Sequence, residues 1–125
     1  MTLEQVKAMT DEELRIRVAE LLGWTNICEE SHYSYDDMEH CDVLCGVSKT
    51  GCKDEVPNYP RDLNACHKME ETLTDIQFCK YVQILCGHTT TGIKIQWGGP
   101  DAGRACRATA RQRCEAFIIA KEEVQ

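Results

Sequence analysis

The sequence predicts an α+β fold: a small antiparallel sheet packed with about four helices, sandwich-like in build. Three observations carry this. Four times a threonine is followed three residues later by Gln or Glu (Thr2/Gln5, Thr10/Glu13, Thr74/Gln77, Thr109/Gln112), the form of a helix capping box. Behind the last three run apolar stripes at i, i+4, i+7, the period of a helix face that can meet a core. Between the second and third boxes, Cys28 to Val56 is polar and acidic and has little helical period.

In chain order, Thr2 to Met9 can form a short first helix. Thr10 opens a helix over 11–22, with Leu14, Val18, Leu21 and Leu22 on one face and Gly23 in the position of a C′ glycine. Trp24 is expected to pack back on that helix. Val43–Val47 and Cys52–Val56 flank Ser48-Lys-Thr-Gly51, which reads as a hairpin with a four-residue loop. His32–Tyr35 can add another short strand.

Pro60 is placed for the first turn of the next helix, whose inward face is read as Leu63, Cys66, Met69 or Glu70, and Leu73. A helix over 75–85 follows, with Phe78, Val82 and Leu85 inward and Tyr81 beside them. Ile93–Trp97 alternates as a strand does, and 104–107 can extend the sheet before the last helix. The chain is expected to be one domain, 1–125, with a variable cysteine-rich insertion at about 28–55.

Composition limits the function. The net charge is −7 and aromatic residues are 6% of the chain, so a basic face broad enough for duplex nucleic acid is not expected. Acidity also disfavours anionic membranes, and no apolar run has the length of a membrane span. The nine cysteines are an odd number, and Met1–Met9 is charged rather than apolar. We therefore expect reduced thiols in a cytoplasm. Cys28, His32, His40, Cys41, Cys45 and Cys52 offer enough zinc ligands but no paired CxxC knuckles. No tightly bound metal and no cofactor is expected.

Four arginines, Arg104, Arg107, Arg111 and Arg113, lie in or just before the first turn of the last helix, with no carboxylate between Asp101 and Glu115. A helix start carries free N–H groups and the positive end of the macrodipole, so cations there are mildly unfavourable unless an anion joins them. Phosphate commonly fills such a place. If so, replacing Arg107 or Arg111 should leave the free protein as stable or slightly more so while abolishing stabilisation by the ligand, and replacing Arg113, on the other side of the stripe, should leave binding nearly unchanged. The alternative is that these arginines pair with acidic residues elsewhere in the chain. On the helix that starts near Pro60, His67 and Glu70 lie within reach of each other and could do acid–base work, but no nucleophile accompanies them.

Three stretches together resemble small phage and prophage proteins of the ABA-sandwich type. They are Thr10-Asp-Glu-Glu-Leu-Arg-Ile-Arg-Val-Ala-Glu-Leu-Leu-Gly-Trp24, Val56-Pro-Asn-Tyr-Pro-Arg-Asp-Leu-Asn-Ala-Cys-His-Lys-Met-Glu70 and Ala108-Thr-Ala-Arg-Gln-Arg-Cys-Glu-Ala-Phe117. Together they cover about half of the chain. Relatives of that fold include Thoeris anti-defence sponges, which are oligomeric. The resemblance implies a homo-oligomer in the host bacterial cytoplasm that sequesters a cyclic nucleotide immune signal, a cyclic ADP-ribose isomer or a cyclic oligonucleotide, without catalysis. It implies Arg104, Arg107 and Arg111 on the phosphates and Trp97 as the stacking platform.

Two other functions compete. One is an acidic inhibitor of a defence nuclease, suggested by Asp36, Asp37, Glu39, Asp42, Asp54 and Glu55. The other is a zinc interaction module built on the cysteines of 28–52.

Overall fold

The computed structural model describes residues 2–34, 39–86 and 108–124. These form an α+β arrangement of five helices and a three-stranded antiparallel sheet. The helices are α1 (Leu3–Lys7), α2 (Asp11–Leu21), α3 (Leu63–Glu70), α4 (Asp75–Leu85) and α5 (Ala110–Glu123). The strands are β1 (Thr25–Ser34), β2 (Glu39–Val47) and β3 (Lys53–Glu55). The expected strand Ile93–Trp97 and the possible extension over 104–107 lie outside the described residues.

All four capping boxes form. The threonine hydroxyl accepts from the backbone N–H three residues on, and the Gln or Glu side chain reaches back to the threonine N–H. Each box satisfies two of the N–H groups that a helix start leaves open. Helix α2 ends as its sequence directs. Gly23 takes φ +92°, its N–H reaches Glu20 O, and Trp24 N–H returns to Ala19 O. This is a Schellman stop, for which glycine is suited because it has no Cβ to clash.

Two helix faces differ from expectation. Helix α3 starts at Leu63, after Pro60. Asp62 is its N-cap, its carboxylate accepting from the N–H groups of Asn64 and Ala65. Leu63 is 48% exposed, and the inward stripe is Ala65, Cys66 and Met69. On α4 the inward residues are Gln77, Tyr81 and Val82, while Phe78 is 40% exposed. The face is turned by polar anchors. Gln77 Nε2 donates to Val124 O at 2.7 Å, and the Tyr81 hydroxyl to Glu70 at 2.5 Å.

Helix α5 is the centre. Every residue from Cys114 to Ala120 is buried, and α1, α2, α3 and α4 all pack on it. A helix buried all round has no polar face to orient it, so its neighbours fix its position. The sheet joins this body through Leu44 and Val56, with Trp24 and Ile27 packed alongside. Gly46 makes the join close. A Cβ there would sit 3.1 Å from Ile27, 3.2 Å from Trp24 and 3.2 Å from the Thr25 carbonyl. From α2, Arg15 Nε donates to the carbonyls of Val56 at 3.0 Å and Pro57 at 3.2 Å. The stretch 28–55, expected as an insertion, thus supplies the sheet. The hairpin is as expected, closed by Ser48 N–H to Cys52 O at 2.9 Å and by Gly51 at φ +87°.

Candidate functional site

The cations at the start of α5 meet carboxylates. Arg111 Nη1 pairs with Asp11 Oδ1 at 2.5 Å, and its Nη2 donates to the carbonyls of Lys7 and Met9. Arg61 reaches the other Asp11 oxygen at 3.3 Å. The hydrogen bond from Arg111, with that from Arg61, holds the Asp11 carboxyl below its ordinary range. Arg113 turns the other way. Its Nη1 meets Glu70 Oε1 at 2.7 Å, and its Nε donates to Ala108 O at 3.2 Å. The two described arginines of the helix start, Arg111 and Arg113, are therefore neutralised by Asp11 from α2 and Glu70 from α3. Expecting Arg111→Ala to leave stability unchanged does not fit this geometry. Arg113, expected to be neutral toward ligand binding, has a side chain only 13% exposed in its ion pair, so its replacement acts on the fold. Of the other candidate ligand residues, Arg104, Arg107 and Trp97 lie outside the described residues.

Glu70 is occupied as well. Its Oε1 accepts from both Tyr81 and Arg113, while His67 Nδ1 stands 3.5 Å from Oε2. Burial, with the Glu70 hydrogen bond and charge, pushes the Tyr81 hydroxyl far up, so it stays a donor. The His67–Glu70 pair noted in the sequence is thus the edge of a structural knot that ties α3 to α4 and α5.

A different place offers cations that no described carboxylate pairs with, since the one acidic residue beside them, Asp62, is turned to the backbone N–H groups of Asn64 and Ala65 at the start of α3. A cleft of about 570 Å³ opens between the end of α2, the β2–β3 loop and α3. Its apolar side is made by Leu22, Trp24, Pro57, Tyr59, Ala65 and Met69. Ser48, Lys49, Thr50, Asn64 and Lys68 stand at its polar side. Trp24 is placed by the Gly23 turn and by its seat on Gly46. The main-chain carbonyl of Tyr59 accepts from Cys66 Sγ at 3.1 Å, which pins the segment to α3. The lysine stem of Lys49 lies 3.4 Å from where a Gly23 Cβ would be. Within the described residues neither Lys49 nor Lys68 forms an ion pair, whereas Arg15, Arg17, Arg61, Arg111, Arg113, Lys53 and Lys80 all do. Neither His67 nor Glu70 lines the cleft.

Sequence reasoning missed Lys49 and Lys68. One sits in a hairpin loop and the other on an exposed helix flank, and nothing local marks either. Trp24, read as a core residue, packs on the core and also lines the cleft.

Among the described residues no group of three or more His, Cys, Asp or Glu side chains could hold a metal ion. The Glu12 carboxyl, and after it the Asp42 charge, push the Glu29 carboxyl up, so some acidic residues do gather. No described helix is long and apolar enough to cross a membrane. Compared with family models, curated proteins and solved structures, the chain matches none.

Proposed function

We propose that the protein binds a small phosphorylated ligand with a flat ring and holds it without converting it. The class we favour is a cyclic nucleotide immune signal, sequestered by a homo-oligomeric phage protein in the host cytoplasm. The observation that supports this is the cleft where Lys49 and Lys68, with no ion pair among the described residues, share a lining with an aromatic and apolar wall. Its volume lies in the range of small-molecule sites. A lysine ammonium is a compact phosphate partner, and a base stacked on an aromatic face gains about 1–3 kcal/mol. Binding without catalysis is favoured because the His67–Glu70 pair is used up in the Glu70 knot and lines no part of the cleft. Arg104, Arg107 and Trp97 stay in the proposal as further ligand contacts. Arg111, committed to Asp11, would act on a ligand only by giving up that pair.

Calorimetry with a panel of cyclic nucleotides and cyclic ADP-ribose isomers tests this, with the ligand recovered and its mass checked afterwards. The expected result is saturable binding, intact ligand, and loss of binding in the Lys49→Ala/Lys68→Ala variant. No heat from any phosphorylated ligand would sink the reading. Recovery of a cleaved ligand would make the protein an enzyme. Indifference to nucleotides with capture of a basic nuclease would favour the acidic-inhibitor function, for which the Glu12–Glu29–Asp42 gathering is the relevant surface.

A further inference from the structure

We propose that Cys28 and Cys45 form a thiol–disulfide exchange site that reacts with low-molecular-weight disulfides, independently of the cleft. The two are direct partners across the β1–β2 ladder. The irregularity between Thr25 and Cys28, where Asn26 takes φ +53°, makes Cys28 the first residue of the regular pairing. Partners opposite each other on antiparallel strands hold their Cβ atoms about 4.5–5.5 Å apart, and their Cα spacing falls in the range a disulfide spans. The Cβ spacing is at the long edge of a relaxed bridge, so the bond would form yet remain easy to reduce.

The side of the sheet matters. Leu44 belongs to the helical core, so its neighbour Cys45 stands on the opposite face. That face holds a groove of about 500 Å³ lined by Glu30, Val43, Cys45, Lys53, Asp54 and Glu55. Cys28 is exposed and Cys45 is 7% exposed. This is the asymmetry of an attacking thiol beside a sheltered resolving thiol. Lys53 pairs with Glu30 at 2.5 Å, and its ammonium bears electrostatically on both sulfurs. Burial pushes the Cys45 thiol up, with Glu30 and Glu55 adding to it, which keeps that sulfur protonated until it is needed. By contrast Cys66 and Cys114 are wholly buried among the helices, out of reach of any reagent.

The chemistry balances. Cys28, its proton lost to water, attacks a disulfide RS–SR. A Cys28–SR bond forms, the RS–SR bond breaks, and a thiolate RS⁻ leaves. That thiolate takes the Cys45 proton. Cys45 then attacks the Cys28 sulfur, the Cys28–SR bond breaks, and the second RS⁻ leaves and is protonated by water. The protein loses two electrons and two protons, and the small disulfide becomes two thiols.

The test treats the reduced full-length protein with oxidised glutathione under native conditions, followed by intact mass and peptide mapping. The expected product is lighter by two hydrogens, bridged between Cys28 and Cys45, and restored by dithiothreitol. Cys45→Ser should stall with one glutathione on Cys28, the mixed disulfide that Cys45 would otherwise resolve. Cys28→Ser should leave Cys45 unmodified. A bridge mapping to other cysteines would overturn the proposal, as would equal labelling of Cys28, Cys52 and Cys79.

Discussion

Two regions of this molecule collect positive charge, and they use it in opposite ways. At the start of α5, Arg111 and Arg113 lie where charge repulsion and the helix dipole both oppose them. They persist because Asp11 and Glu70 come in from α2 and α3. At the cleft, Lys49 and Lys68 have no ion-pair partner within the described residues and stand over Trp24 and Tyr59. A cluster of arginines in sequence is thus no measure of where a ligand anion will go. What matters is whether the fold has already brought carboxylates to it, and a pair that the fold has completed serves assembly.

The largest expected effect would break the first half of that comparison. Arg113→Ala leaves Glu70 and Tyr81 in a largely buried site without their cation, and breaking a buried pair in this way costs about 3 kcal/mol. Thermal melting should fall by roughly 10 °C in a chain of this size. An unchanged melting temperature would mean that the Glu70 knot is not formed in solution.

Next comes the cleft. Lys49→Ala and Lys68→Ala should each weaken a phosphorylated ligand about tenfold, which is about 1.4 kcal/mol. Neither should move the melting temperature of the free protein by more than about 0.5 kcal/mol of stability. If either variant melts much lower without ligand, that lysine is part of the fold, and the contrast between the two regions fails.

Arg111→Ala is smaller, since the pair is partly exposed: a loss of about 1 kcal/mol at neutral pH. Its pH signature is more telling. The folded Asp11 carboxyl lies below its ordinary 3.8, so its contribution is complete above that pH and lost as pH falls through the folded value. Urea melts at a series of acid pH values should show a shallower loss in the variant than in the wild type.

Smallest of all is Glu115, a carboxylate on the buried helix whose pKa is raised by burial, against the pull of Arg111 and Lys7. The sign is the reverse of Asp11. Its penalty is absent below its ordinary 4.5 and complete above the raised folded value. Glu115→Gln should therefore raise stability slightly near neutral pH and change nothing at pH 4, as paired denaturation curves would show.

Helix starts were legible because a capping box is made of residues three apart, and all four formed. So were the Gly23 stop and the hairpin around Ser48–Gly51, whose requirements are equally local. Helix faces were less so. On α3 and α4 the apolar period pointed to Leu63 and Phe78, and both are exposed. The direction a short helix faces is set by what pulls on it, here Glu70 on Tyr81 and the Val124 carbonyl on Gln77, contacts made across 11 and 47 residues of chain.

The sequence by itself determined where the four capped helices begin, that a hairpin closes over 48–51, and that the last helix has cations at its start with no anion of its own. These follow from interactions among residues within a few positions of one another. Only the tertiary structure decided that Asp11 and Glu70 would supply those anions, 100 and 43 residues away. It alone placed Lys49 and Lys68, which share no motif, on one cleft with Trp24. An ion pair or a cleft depends on distance in space, and the pattern of neighbours along the chain carries no record of that distance until the core has packed.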